Sequence, residues 1–319
     1  MDDILLSIVI PTYNHEKYIA RALDSVLSQN IPYCFEVLVG EDCSKDKTKA
    51  ILKDYEKKYP GFFNVYYREK NMYGSIPSNL LDLYLRTKGK YIITLEGDDY
   101  WIDNNKIRKQ LEFLEEHPDY IACAHNCLVV DENGNPRDVT YPECKEKVYT
   151  IKDFKNKILP GQTATIMCRN VYRDKVYNTS ILKKALIPGD RLKIFVLLSY
   201  GKIYCMQEKM SAYRYVTKSG TSYSASYKYN YHKEMEWYRN LLDYSRNFGN
   251  TENQIAIEEM YFHESVRAWK KGQCSKKDVE KTFSSLKYKL RVTLNLGITI
   301  IYNRIKKLQK KDKNDFYKV

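Results

Sequence analysis

No glycine-rich phosphate cradle occurs in these 319 residues. Neither G-x-G-x-x-G nor G-x-x-x-x-G-K is present, so a bound nucleotide would need something other than a ring of backbone N–H groups to meet its phosphate charge. The eight cysteines include no C-x-x-C pair and no histidine at finger spacing. That excludes a zinc finger and a compact disulfide frame, and it predicts reduced thiols in a cytoplasmic protein. His125 lies between Cys123 and Cys127, but the sequence offers no further ligand beside them, so His125 is expected to be structural. The opening "MDDILLSIVIPTYN" is acidic before it is apolar, the reverse of a secretory leader. There is no internal repeat.

Net charge is small in the body of the chain. From Lys270 to Val319 there are 15 Lys/Arg against 4 Asp/Glu, or +11; the remaining 269 residues hold 38 against 36, or +2. A nucleic-acid enzyme spreads its cations along a groove of the body, so no nucleic-acid partner is expected. The tail also carries Leu286, Leu290, Leu294, Ile298, Ile301, Ile305 and Leu308 at spacings of three and four, followed by Lys306, Lys307, Lys310, Lys311 and Lys313. Its longest uncharged run, Val292–Asn303, is 12 residues, short of the roughly 20 that span a bilayer. Stripe and lysines together suggest a helix lying on an anionic membrane, at the inner face of the cell membrane. Packing of the stripe on the body is the alternative, and vesicle co-sedimentation with and without the tail separates the two.

What is present begins with a regular alternation. "LLSIVI" reads as a buried strand, and "NHEKYIARALDSVLSQ" as a helix with Asn14 as its N-cap. "FEVLVGED", "NVYYREK" and "YIITLEGDD" are further strands; "KDKTKAILKDYEKKY" and "SNLLDLYLRTKG" are further helices, the latter stopped by Gly89. Strand and helix in this order predict an α/β fold with a mostly parallel, doubly wound sheet, whose ligands sit outside the carboxyl ends of the strands. Three such ends carry "PTYN", "GEDCS" and "EGDD". Beyond Trp101, itself expected in the core, come a helix, "YIACAHNCLVVDENG" as a strand, a strand in "TATIMCRNVY" and a helix from about Asp190. From about Tyr227 onwards the chain reads helical, and the Tyr/Ser-rich Ser219–Tyr231 is the candidate linker. The expected division is a domain over 1–218, with a nucleotide-binding half to about residue 100 and an acceptor half after it, then 219–319 as linker and basic helical region.

Glu96, Asp98 and Asp99 crowd three like charges at one strand end, which costs free energy unless a cation offsets it. Mg²⁺ and Mn²⁺ take one or two carboxylates together with substrate phosphate oxygens. Asp98 and Asp99 therefore suit a divalent metal, one facing the ion and its neighbour a ribose hydroxyl, while a carboxylate at Glu41–Asp42 suits the N–H of a pyrimidine.

The segments "SIVIPTYN" (7–14), "VLVGEDCSKDKT" (37–48), "NMYGSIPSN" (71–79), "GKYIITLEGDDYWIDNNKIRKQLEFLEEHPDY" (89–120) and "IPGDRLKIFVLLSYGKIYCMQEKMSAYR" (187–214) resemble, in order, the motifs of family-2 glycosyltransferases with the GT-A fold. The resemblance covers roughly residues 4–216. It implies a Rossmann-like sheet and an inverting enzyme of the bacterial surface-polysaccharide type. Its donor would be a nucleoside-diphosphate sugar, of the UDP class, its cofactor Mn²⁺ or Mg²⁺, and its acceptor a saccharide, lipid-linked ones included. It assigns Pro11, Thr12, Tyr13, Glu41, Asp42, Asn71 and Asp98 to the donor, Asp98 and Asp99 to the metal, and Asp190 to the general base. A plain helix N-cap is the alternative for Asp190. Three positions depart from the pattern: Glu96 stands where many relatives have Asp, Ser78 where many have Arg, and Val216 where some have a metal-binding His. Two other readings share the fold: a sugar-phosphate nucleotidyltransferase, which would want a Gly- and Arg-containing loop in place of "PTYNHEKY", and a saccharide-binding module, which would not need Asp190 with Asp98 and Asp99.

Overall fold

The structure is a computed structural model and describes residues 4–139, 141, 147–156, 158–184, 189–215 and 230–297. The chain divides into two compact units, Met1–Tyr227 and Lys228–Val319.

The first unit is built on one mixed sheet. In chain order its elements are β1 (Leu6–Thr12), α1 (Ile19–Leu27), β2 (Phe35–Glu41), α2 (Thr48–Lys58), β3 (Phe63–Tyr67), α3 (Asn79–Arg86), β4 (Tyr91–Thr94), β5 (Tyr100–Trp101), α4 (Lys106–Glu116), β6 (Tyr120–Val130), β7 (Val148–Tyr149), α5 (Ile151–Lys155), β8 (Met167–Arg169), α6 (Gly189–Leu198) and β9 (Lys202–Arg214). The sheet order is β3-β2-β1-β4-β8-β6-β9-β5, with β7 on β9. β3, β2, β1 and β4 are all parallel, as the strand–helix alternation predicts. β8 enters antiparallel to both β4 and β6, and β6 pairs parallel with β9.

Continuous apolar runs become the central strands because both faces are covered. Leu6, Ile8, Val9, Ile10, Ile92 and Ile93 are all without solvent exposure. Trp101 joins this core, its Nε1–H donating to the Ala164 carbonyl at 3.2 Å. The buried Lys106 ammonium lies 4.5 Å from the Trp101 ring centroid and donates to Gln110 Oε1 at 2.7 Å.

Two helix boundaries differ from expectation. Asn14 is not the cap of α1: it has a left-handed φ of 54°, and its Oδ1 accepts the Lys45 N–H, so it ties the loop after β1 to the loop after β2. Gly89 does not stop α3, which ends at an extended Thr87. A Cβ at Gly89 would lie 2.5 Å from Ser7 N, so the glycine is needed where the chain crosses β1. At the other end of α3 the Ser78 hydroxyl caps the Leu81 N–H.

His125 on β6 is fully buried; one ring nitrogen, Nδ1, lies 2.8 Å from the Asn126 carbonyl, and Nε2 has no partner among the described residues. Burial, with Lys106 next, holds its pKa well below the usual 6.5. The unfolded chain therefore takes up a proton there that the native protein refuses. Its contribution to stability is complete above about pH 6.5 and is lost as pH falls. We expect the melting temperature to drop between about pH 7.5 and 5, and His125→Asn to flatten that slope. An unchanged slope in the variant would remove His125 as the cause.

The second unit contains α7 (Tyr231–Phe248), α8 (Thr251–Lys270) and α9 (Lys276–Ser284). Asn230, Asn250 and Ser275 cap their N-termini, the last in a reciprocal box with Asp278. Buried Glu258 accepts the N–H groups of Lys287 and Tyr288, just ahead of helical residues 289–297. Of the expected stripe, Leu286 is buried just ahead of this helix, whereas Leu290 and Leu294, one turn apart within it, are exposed. Residues 219–229 of the expected linker, and Ile298, Ile301, Ile305, Leu308 and the lysine cluster, lie outside the described residues; the last two linker residues, Asn230 and Tyr231, are the cap and first residue of α7. Among the described residues no helix is long and apolar enough to cross a membrane.

Candidate functional site

The ends of β1, β2 and β4 are joined through the backbone of β1. Pro11 accepts the Gly97 N–H at 3.1 Å, and the Thr12 carbonyl accepts the Asp42 N–H at 3.0 Å. "PTYN", "GED" and "EGDD" thus meet at one edge. Gly97 is required there: a Cβ would lie 2.8 Å from both Thr12 Oγ1 and His15 Nδ1.

On the β2 side, Glu41 is fully buried; one oxygen accepts the Ser44 N–H at 2.6 Å and Oε2 has no partner among the described residues. Asp42 accepts the Met72 N–H at 2.8 Å, and burial raises its carboxyl above the usual range. Cys43 takes a φ of 61°, turning the chain sharply after the two acids. Asn71 donates to the Asp42 carbonyl and accepts the Tyr73 N–H, so its amide braces the 71–73 loop against β2.

Glu96, Asp98 and Asp99 follow β4 and are not equivalent. Asp99 is 2% exposed, and both of its oxygens are engaged: Oδ1 by the Arg214 N–H and Oδ2 by Gln162 Nε2, each at 2.8 Å. The same Gln162 amide reaches Glu96 Oε2 at 3.0 Å. Asp98 differs: its side chain is 36% exposed, and among the described residues its nearest partner is His15 Nε2 at 3.9 Å. The expected pair of metal acids therefore resolves into Asp99, held by the protein, and Asp98, open to a ligand.

The crowding disfavours the ionised carboxylates. Burial, then Asp98 and Asp190, pushes the Glu96 carboxyl up to about 8. Burial, then Asp98 and Glu96, raises Asp99 well above the usual range. That Asp190 acts on Glu96 puts the start of α6 within electrostatic reach of the cluster, 94 positions along the chain. Asp190 is exposed, and as the second residue of α6 it lies within the helix rather than capping it; its Oδ1 accepts the Arg191 N–H at 2.7 Å.

The donor set suits a hard divalent cation that brings its own phosphate ligands: one open carboxylate, an imidazole beside it and further negative charge behind. No group of three or more His, Cys, Asp or Glu side chains poised to hold a metal occurs among the described residues. Asp98 would hold the ion, and the substrate would complete its shell.

Three residues of this site lie outside the sequence-derived set: His15, Gln162 and Arg214. His15 stands in "PTYNHEKY", inside a quoted motif, and its position between two polar strand ends was the available signal. Arg214 donates from Nε to the Asp98 carbonyl and from NH1 to the carbonyls of Asp131 and Glu132. Its guanidinium also covers the Tyr18 ring at 4.3 Å, so it fixes the acid loop from behind. Gln162 gave no local signal.

A family model described as "Glycosyl transferase family 2" matches residues 7–176. An uncharacterized protein of Mycobacterium tuberculosis is 36% identical over 137 residues, which make up 43% of this chain and 39% of that protein. The chain thus covers about two fifths of that relative's length. TuaG of Bacillus subtilis, named for teichuronic acid biosynthesis, is 30% identical over 223 residues, covering 68% of this chain and 82% of TuaG. The crystal structure of residues 1–349 of Staphylococcus aureus TarS in complex with UDP-GlcNAc superposes with a TM-score of 0.62 at 20% identity, covering 84% of this chain and 73% of that one. That likeness is one of fold.

Proposed function

Because the chain belongs to glycosyl transferase family 2, we propose that it is an inverting glycosyltransferase that moves a sugar from a UDP-sugar to a saccharide acceptor in cell-wall polysaccharide synthesis. The observation that supports this reading is the meeting of the polar ends of β1, β2 and β4, where the Gly97 and Asp42 N–H groups bond to the Pro11 and Thr12 carbonyls and the Asp98 carboxylate stands open to a ligand.

The named residues then have distinct tasks. Asp42, with Pro11, Thr12 and Tyr13 at the end of β1, receives the base and ribose, and buried Glu41 backs it by holding the Ser44 N–H. Asn71 acts on the donor indirectly, by holding the loop that backs Asp42. A divalent cation at Asp98 would neutralise the diphosphate as it departs. Asp190 takes the proton from the acceptor hydroxyl while that oxygen attacks the anomeric carbon and the bond to the diphosphate breaks. One displacement of this kind inverts the anomeric centre. The naming of TuaG for teichuronic acid biosynthesis supports a wall-polymer acceptor, and the proposal extends to lipid-linked saccharides.

The test is a panel of UDP-sugars, each with Mn²⁺ or with chelator, read by thermal shift and by UDP release. A cognate donor at 100 times its Kd stabilises by about 2.7 kcal/mol, roughly 5–10 °C for a domain of this size. We expect one donor to give that shift and UDP release with Mn²⁺ only. Equal binding with chelator, or no response to any UDP-sugar, overturns the reading.

A further inference from the structure

We propose that His15 is the second protein ligand of the divalent cation, joining Asp98. The assignment rests on the metal reading above and adds to it an imidazole from the loop after β1. His15 Nε2 and Asp98 Oδ2 are 3.9 Å apart, beyond hydrogen-bond range. Two ligands bound to one ion at about 2.1 Å lie roughly 3.0–4.2 Å from each other, depending on the angle between them. The separation is thus that of two groups prepared to share an ion.

The ring is also oriented for the task. Its other nitrogen, Nδ1, lies 3.2 Å from Thr12 Oγ1. With the proton on Nδ1 and donated to that hydroxyl, Nε2 is left bare on the side of Asp98. Metal-binding histidines are commonly fixed in just this way, through a hydrogen bond from the nitrogen that faces away from the ion. The backbone holds the position: the His15 N–H donates to Thr48 Oγ1 at 2.8 Å, and its carbonyl accepts the N–H groups of Tyr18 and Ile19 at 2.9 Å. Gly97 leaves the space against which the ring packs, since a Cβ there would meet Nδ1 at 2.8 Å. Asp98 is the complementary partner, because among the described residues no donor hydrogen-bonds its carboxylate, which faces this imidazole at 3.9 Å.

A carboxylate with an imidazole favours Mn²⁺ over the purely oxygen-seeking Mg²⁺. The chemistry therefore sets metal preference as well as affinity.

The experiment is pulsed EPR on the full chain with Mn²⁺ and UDP, where a directly bound histidine nitrogen modulates the electron spin echo. We expect the nitrogen coupling in the native protein and its loss in His15→Asn. Mn²⁺ affinity in the presence of UDP should fall about 10-fold or more in the variant, with Mg²⁺ affinity changing less. Mn²⁺ bound without nitrogen coupling overturns the assignment while leaving the metal reading intact. Coupling that persists in His15→Asn gives the ligand to another residue. Absence of UDP-dependent Mn²⁺ binding in the native protein overturns the metal reading, and this assignment with it. The native protein alone decides the first and last of these cases, and His15→Gln replaces His15→Asn for the other should the latter fail to fold.

Discussion

Replacing Asp190 by Asn is expected to lower sugar transfer by about 10²–10⁴-fold, the usual loss on removing a general base, while donor affinity stays nearly unchanged. The substitution is conservative in every other respect. Asp190 is exposed, and the hydrogen bond its side chain accepts from the Arg191 N–H is accepted equally well by an amide oxygen. Fold and donor pocket should therefore persist, and only the capacity to take a proton is removed. Turnover against donor and acceptor, with UDP affinity measured separately, checks this. Near-native turnover would take Asp190 out of the mechanism; a parallel loss of UDP affinity would assign it to the donor side instead.

The second large effect is expected at Asp98. Asp98→Asn should abolish the metal-dependent part of donor binding and lower transfer on the order of 10³-fold, because the leaving diphosphate loses several kcal/mol of charge stabilisation. Folding should tolerate the change, since the side chain is 36% exposed and its main-chain carbonyl still accepts Arg214 Nε. Removing this charge should also lower the Glu96 carboxyl, for which Asp98 is the largest charge-based cause of elevation. Comparing Mn²⁺-dependent thermal shifts by UDP in the two proteins decides the matter. If manganese tightens UDP binding to Asp98→Asn as much as to the native protein, the ion is held elsewhere. The neighbouring Asp99→Asn should behave differently, failing in stability before metal affinity, because Asp99 is buried and holds the Arg214 N–H.

These contrasts show where local sequence stops being informative. The four parallel strands β1 to β4 were legible because each is a short apolar run punctuated by polar residues, a signal held within a few neighbours. The acids at their ends were legible for the same reason, since like charges beside a buried strand demand a partner. Which acid would do what was not legible. Asp98 and Asp99 are adjacent and chemically identical, so nothing local says which of them is buried and which stays open.

Tertiary structure broke the symmetry. The turn closed by the Asp99 N–H on the Glu96 carbonyl leads into β5, which pairs with β9 and carries Asp99 against Arg214. Gln162 and Arg214 reach Asp99 from 63 and 115 positions away. No periodicity within one element encodes such a meeting. By itself, then, the sequence determined the alternation of strand and helix, the edge on which the acids gather and the absence of a phosphate loop, all consequences of short-range chemistry. The direction of each carboxylate, the imidazole set 3.9 Å from Asp98 and the approach of Asp190 to Glu96 were decided only by the folded sheet, because they depend on which distant strands become neighbours.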